Sequence, residues 1–414
     1  MHLLARHQIP EANKDISAMQ GVLSASAKQY LFREIKMRRP IILGGNPYIM
    51  DYHRKTAKEL FDETGGNSGN LAFRFGVANQ LVNPKFLSFS TPTTEIKKQG
   101  DIIILPLANQ LGKHTDLAHA ADRLAEINLP VIGVGLGAQT DSKDSDVVLT
   151  AGTTKWLETI AKLAPSASAN IGTRGEYTKY QISRFGFESS AIVTGCPSNF
   201  INFNTDIIAQ LAKGFRSRPR NVAVTAGIPF IPSLSKLEQD LADMVSVTGG
   251  AYIVQHGLQM LQIARNEFDL IPADILELCR NYIAPSKKMD EFITWCRQYA
   301  YAFYDVRAWM DFVKRFDFVV GTRFHGAMLA IQAGVPAACI AHDSRTQEMC
   351  ETMGIPVCHY KDIQGGLTLG NVFDYFSFDE EKFRACRQQL CRSYISIFDA
   401  ADVEITKGLR GLAI

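Results

Sequence analysis

Along this chain, short apolar runs that close on glycine or polar turn residues alternate with longer stretches of helical period. Strands buried on both faces read as unbroken apolar runs, so this alternation predicts parallel sheet wrapped by helices. Residues 40–44 (PIILG), 101–106 (DIIILP) and 130–135 (PVIGVG) read as buried strands, and 191–195 (AIVTG) as a further one. Helical spacing falls on 51–63 and 113–127.

The stretch 212–220 (AKGFRSRPR) breaks the apolar pattern with basic and turn-forming residues before a fresh strand at 221–225. The second half then repeats the logic, with strands predicted at 251–255, 301–305, 316–321, 336–341 and 355–360. Residues 377–396 carry Phe383, Leu390, Tyr394 and Ile395 at helical spacing and read as a terminal helix. The predicted organisation is an α/β lobe over 1–215, a second α/β lobe over 216–375, and a helical segment over 376–414 that packs back on the body. Two doubly wound, Rossmann-like lobes place ligands at the carboxyl ends of their strands, in the cleft between them.

Composition narrows the partners. The 414 residues are 46% hydrophobic, enough for sizeable cores, and 44 Lys and Arg against 42 Asp and Glu leave a formal charge of +2. No whole-protein field attracts nucleic acid, so any anion is bound locally. The eight cysteines contain no C-x-x-C pair and read as reduced thiols without a metal site. Residues 1–10 lack a signal peptide's apolar run, and no later stretch approaches the roughly 18 apolar residues of a membrane span. The expectation is a cytoplasmic protein with at most peripheral membrane contact.

The sharpest chemistry lies in 318–336, FVVGTRFHGAMLAIQAGVP. A strand stops at Gly321 and a helix of small residues begins near His325, so Arg323 and His325 fall on a strand-end turn with free helix N–H groups, a setting that suits an anion. Gly321 and Gly326 join the anion-binding candidates because glycine lets backbone approach a ligand. The plain alternative is that Arg323 caps a carbonyl and His325 bonds to backbone.

Gly321-Thr322-Arg323-Phe324-His325-Gly326-Ala327, followed by Ala333-Gly334-Val335-Pro336, resembles the C-terminal-lobe signature of the polysaccharide pyruvyl transferases. The resemblance implies a two-lobed, glycosyltransferase-B-like fold, with the donor phosphoenolpyruvate on the second lobe and the sugar acceptor on the first. It assigns donor binding and processing to Arg323 and His325, with no metal or other cofactor. Ile171 to Thr178, with Gly195-Cys196-Pro197-Ser198 beyond, resembles the family's arginine-bearing strand end and makes Arg174 a second anion-binding candidate; a salt bridge to Glu176 is the alternative. Arg345, in a neighbourhood where the family commonly carries a basic residue, joins the donor candidates.

Cleft-lining or acceptor candidates are Asn67 and Asn70, in a turn resembling the family's N-x-G-D-x-A, with asparagine where aspartate is usual at 70. Gly137 and Gln139 follow in a glycine-rich loop (IGVGLGAQ) that lacks dinucleotide spacing, and His256 stands at the end of the 251–255 strand. His256 and Arg345 also have ordinary structural explanations. The alternating aromatics Tyr299, Tyr301, Phe303 and Tyr304 read as a half-buried strand before a sugar-stacking surface. The implied function is pyruvyl transfer from phosphoenolpyruvate to a sugar or lipid-linked oligosaccharide. Two alternatives stay open: a nucleotide-sugar glycosyltransferase of the same architecture, and a non-catalytic glycan binder.

Overall fold

The computed structural model describes residues 37–139 and 145–414; the N-terminal stretch read for a signal sequence lies outside them. The apolar runs become two six-stranded sheets. In the first, β1 (Pro40–Leu43), β2 (Lys85–Leu87), β3 (Ile102–Pro106), β4 (Val131–Leu136), β5 (Ile171–Thr173) and β6 (Ala191–Val193) lie in the order β2-β1-β3-β4-β5-β6. In the second, β7 (Val222–Thr225), β8 (Ala251–Val254), β9 (Ala300–Ala302), β10 (Phe318–Gly321), β11 (Ala337–Ala341) and β12 (Val357–His359) lie in the order β12-β11-β10-β7-β8-β9. Every pairing is parallel.

Ile41, Ile42, Ile102, Ile103 and Ile104 expose no surface. Each such side chain contributes about 1.5–3 kcal/mol by burial, which is why the unbroken apolar runs form central strands. The orders also locate the ligand crevices. Chain direction across the first sheet reverses between β1 and β3, and across the second between β7 and β10. Strand ends at such reversals splay their loops apart and leave room for a ligand.

Several predicted boundaries move. The 51–63 helix is interrupted: Asp51 is left-handed, Tyr52–Arg54 is a short 3-10 turn, and the helix α1 is Ala57–Glu63. Thr56 and Glu59 form a capping box, which fixes the start at Ala57. The 113–127 helix begins only at Ala118, after Asp116 accepts from the Ala118 N–H. The 301–305 strand is Ala300–Ala302, because Asp305 caps the next helix by accepting from the Arg307 and Ala308 N–H groups. Tyr301 is exposed and packs on Phe312, while Tyr304 is buried. The 355–360 strand shortens to Val357–His359, and the terminal helix is Glu380–Asp399, starting after its cap at Asp379.

That terminal helix crosses to the first lobe. Arg387 donates to the Asn199 carbonyl, Tyr394 packs on Phe200, and the Thr406 N–H donates to the Gln80 carbonyl. Residues 38–414 form one compact unit. Hydrogen bonds between the lobes include that of the Ser68 N–H to the Gln255 carbonyl at 2.8 Å and those of the Thr178 N–H and hydroxyl to Glu348, each at 2.8 Å. All eight cysteines are free thiols. Among the described residues no helix is long and apolar enough to cross a membrane.

Candidate active site

The second lobe's reversal point is built by a close approach of backbone. Gly321 ends β10 at φ 153°, and a Cβ there would lie 2.3 Å from the Thr225 carbonyl oxygen at the end of β7. Glycine is therefore required. Gly326, one turn into the helix α4 (Phe324–Gln332), faces the Thr225 and Gln255 side chains with equally little room. The two glycines dock helix on sheet, and this docking delivers Arg323, the helix N-cap, and His325 to the same strand ends.

Arg323 is half-buried, and its Nε is buried without a hydrogen-bond partner. Burial and the Arg345 charge lower its pKa, against the pull of Glu238 and Asp343. His325 is buried between the lobes. Its Nε2 stands 3.6 Å from the Cys196 thiol, and its ring packs on Phe73 at 5.5 Å; both partners come from the first lobe. Burial first, then Arg174 and Arg345, hold its pKa well below the ordinary value, so the imidazole is neutral at neutral pH.

Arg174 reaches this place from the end of β5 and makes no bond to Glu176. Its Nε donates to the Gly135 carbonyl at 2.8 Å and its Nη1 to Asn109 Oδ1 at 2.9 Å, and its guanidinium lies 5.7 Å from the centre of the Phe73 ring. The Gly137 backbone lies against its side chain. Burial pushes its pKa down to about 10. Phe73 thus touches both Arg174 of the first lobe and His325 of the second.

Arg345 is more central than its sequence signal suggested. On the helix α5 (Ser344–Met353) it pairs with Asp343 at 3.1 Å, keeps a buried Nε without a partner, and lowers the pKa of Arg174, Arg323, His325, His256 and His342. Burial would raise the Asp343 carboxyl, but Arg345, His342 and bonds from Thr346 outweigh it and hold it below the carboxylate range. His256 and His342 are each lowered to about 4, chiefly by burial, and each has a buried Nδ1 without a partner. Two arginines, two neutral histidines and several unpartnered buried nitrogens thus collect at the ends of β7, β8, β10 and β11, beside the acids Asp343 and Glu238.

The cleft opens beside this cluster as a cavity of about 580 Å³, lined by Gln139 from the first lobe and by His342, Asp343, His359 and Lys361 from the second. Gln139 accepts from Asn109, which in turn accepts from Arg174, so the cleft wall and the buried arginine form one chain. Asn67 pairs with His256 as an antiparallel bridge and its side chain accepts from the Gly69 N–H. Asn70 donates to the Thr64 carbonyl at 2.9 Å, a loop-clamping role, and lines a separate cavity on the first lobe.

Sequence reading missed Phe73, the Cys196 contact and Glu238. Phe73 stands at the end of the run that begins at Asn67, with nothing in its local spacing to mark it. Glu238 is a buried acid on the apolar stripe of the helix α3 (Ser235–Thr248), beside Leu237 and Leu241, and an acid on such a stripe was its available signal. It accepts from the Tyr252 hydroxyl and the Gly227 N–H, and burial raises its pKa. Among the described residues no three His, Cys, Asp or Glu side chains are grouped to hold a metal.

Solved structures similar to the chain include S. aureus MnaA with UDP (12% identity, covering 88% of this chain and 90% of that one, TM-score 0.39) and the UDP-N-acetylglucosamine 2-epimerase from Rickettsia bellii (10%, 88% and 97%, 0.41). No curated protein sequence matches. The family model of polysaccharide pyruvyl transferase matches residues 40–344, which run from β1 through the Arg174 and Arg323–His325 strand ends to the start of α5. With that match over most of its length, the chain belongs to the polysaccharide pyruvyl transferase family and is a transferase.

Proposed function

We propose that the chain transfers the pyruvyl group of phosphoenolpyruvate to two hydroxyls of one sugar, forming a ketal. The observation that carries this reading is the buried cationic cluster at the second lobe's reversal point, where Arg323 and Arg345 each hold a buried Nε with no partner. Phosphoenolpyruvate carries phosphate and carboxylate on three carbons, and guanidinium forks match both oxyanions. Arg323, Arg345 and the first turn of α4 hold the phosphate in this reading, and Arg174 closes the site from the other lobe.

The reaction begins with a proton added to the donor's methylene carbon, which leaves positive charge on the carbon bearing phosphate. A sugar hydroxyl bonds to that carbon and gives up its proton. A second hydroxyl then forms the other carbon–oxygen bond while the bond to phosphate breaks, and its proton leaves with the phosphate. His325 is neutral without donor, and a bound dianion raises its pKa again, so it carries protons between hydroxyl, methylene and phosphate.

The direct test is incubation with phosphoenolpyruvate and a panel of free, phosphorylated and lipid-linked sugars, reading phosphate release and the pyruvyl mass increment. Phosphate release without a modified sugar, or sugar transfer from a nucleotide donor instead, overturns the reading. An NMR titration of His325 adds a second check: its pKa rises on adding phosphoenolpyruvate, and a fixed value counts against its role.

A further inference from the structure

The first lobe has its own reversal point, and a cavity fills it. Leu43 and Gly44 at the end of β1, and Leu105 to Ala108 at the end of β3, line a space of about 280 Å³. A neighbouring space of about 480 Å³ shares Gly44, Gly65 and Arg74 with it. Small-molecule sites occupy roughly 300–1,000 Å³. The smaller space also borders the reaction centre: Phe73 lines it and touches His325, and Leu107, another lining residue, offers its carbonyl to Arg174 at 3.4 Å.

Arg74 stands at the junction of the two spaces. It follows Asn70 by one helical turn on the helix α2 (Asn70–Gln80) and so faces the same way. Its Nη1 donates to the Glu63 carbonyl at 3.2 Å, and among the described residues it has no acidic partner. The two acids nearby are occupied: Asp62 pairs with Lys58 and Glu63 with Lys55, each at 2.5 Å. Burial lowers the Arg74 pKa with no acid opposing it. A guanidinium kept half-buried without a counter-charge, between two cavities, is costly unless an anion comes to it. The site is also walled by aromatic rings on both sides, Phe73 and Phe89 on the inner space and Tyr48 and Phe86 on the outer, the surfaces on which sugar rings stack.

We propose that these joined cavities bind the acceptor, and that Arg74 grips a phosphate attached to it: the sugar lies in the inner space beside Phe73, and its phosphate reaches Arg74 toward the outer one. The acceptor class is then a phosphate-bearing saccharide, either a soluble sugar phosphate or a saccharide joined by phosphate to a lipid. This rests on the transferase reading above, and the test separates the two.

With phosphoenolpyruvate saturating, calorimetry follows binding of glucose 1-phosphate, and of geranyl diphosphate in detergent micelles, to wild type, Arg74→Gln and Arg74→Lys. The expected result is at least a tenfold loss of affinity for the phosphate probe in Arg74→Gln and a smaller loss in Arg74→Lys, with phosphoenolpyruvate affinity unchanged in both. Unchanged phosphoenolpyruvate binding also shows that the variants are folded. Preference for glucose 1-phosphate supports the soluble source, and preference for geranyl diphosphate the lipid-linked one. Phosphate-probe affinity that ignores Arg74, or no saturable binding of either probe to wild type, overturns the proposal. If phosphoenolpyruvate itself does not bind wild type, the donor reading falls, and the same probe titration without it still decides the role of Arg74.

Discussion

The two lobes are both six-stranded parallel sheets, wound in different strand orders, and they treat their reversal points in opposite ways. In the second lobe Gly321 and Gly326 pack helix tightly on the β7–β10 strand ends, and Arg323, Arg345 and the buried Glu238 gather there with two neutral histidines. In the first lobe the β1–β3 crevice stays open, lined by glycine and aromatic rings, with one arginine at its waist. Dense buried charge suits a small rigid dianion, whereas an open, mostly apolar crevice suits a larger ligand recognised by shape. On the function proposed above, one kind of parallel sheet serves as a tight donor side in one lobe and a roomy acceptor side in the other, because function is carried by strand-end residues rather than by the sheet.

The strongest blow to this contrast is His325→Asn. Turnover should fall about 10²–10⁴-fold with phosphoenolpyruvate affinity held within a few fold, since the ring moves protons rather than holding the anion. Steady-state kinetics with calorimetry checks the split, and a parallel loss of both would make His325 a binding group. Arg323→Ala comes next. Two charge-assisted hydrogen bonds of roughly 1.5–3 kcal/mol each imply at least about a 100-fold loss of donor affinity, with glucose 1-phosphate binding at the first lobe untouched.

Gly321→Ala tests the packing that makes the donor side rigid. A left-handed φ and a Cβ 2.3 Å from a carbonyl oxygen predict a loss of about 3 kcal/mol or more in urea unfolding. A smaller effect follows from the neutral histidines. His256 and His342 sit near 4 in the fold against an ordinary 6.5, so the unfolded chain binds more protons between those values. Their contribution is fully present above about pH 6.5 and is lost as pH falls through about 4. The Tm of the donor-free protein should drop across that window, and His256→Asn should flatten the drop. The smallest effect is reserved for Asn70→Ala: loss of its bond to the Thr64 carbonyl costs about 1 kcal/mol and leaves donor affinity alone.

How much of this was legible depends on how far each feature is scattered along the chain. The Arg323–His325 turn is written in one stretch, 318–336, where strand end, arginine, histidine and packing glycines follow one another, so local spacing was enough to single it out. The acceptor crevice draws Gly44, Gly65, Arg74 and Leu107 from four separate segments, and no local spacing links them. β2 was missed because Lys85–Leu87 is a three-residue edge strand with half-exposed side chains, without the apolar run that marked β1 and β3. The split of the 51–63 helix was readable after the fact in Thr56-Ala57-Lys58-Glu59, a capping box inside what looked like one continuous period. The contacts of His325 with Phe73 and Cys196 exist only once the two sheets face each other.

The hydrogen bond from Ser68 to Gln255 has a consequence for engineering. It is made between main-chain atoms, and beside it Asn67 pairs with His256, so the turn next to the first-lobe cavities is stitched to the end of the strand that carries His256. A chimera that borrows its front half from another protein can therefore keep this seam through changes of side chain, provided that the backbone path of residues 67–69 still meets that of 255 and 256.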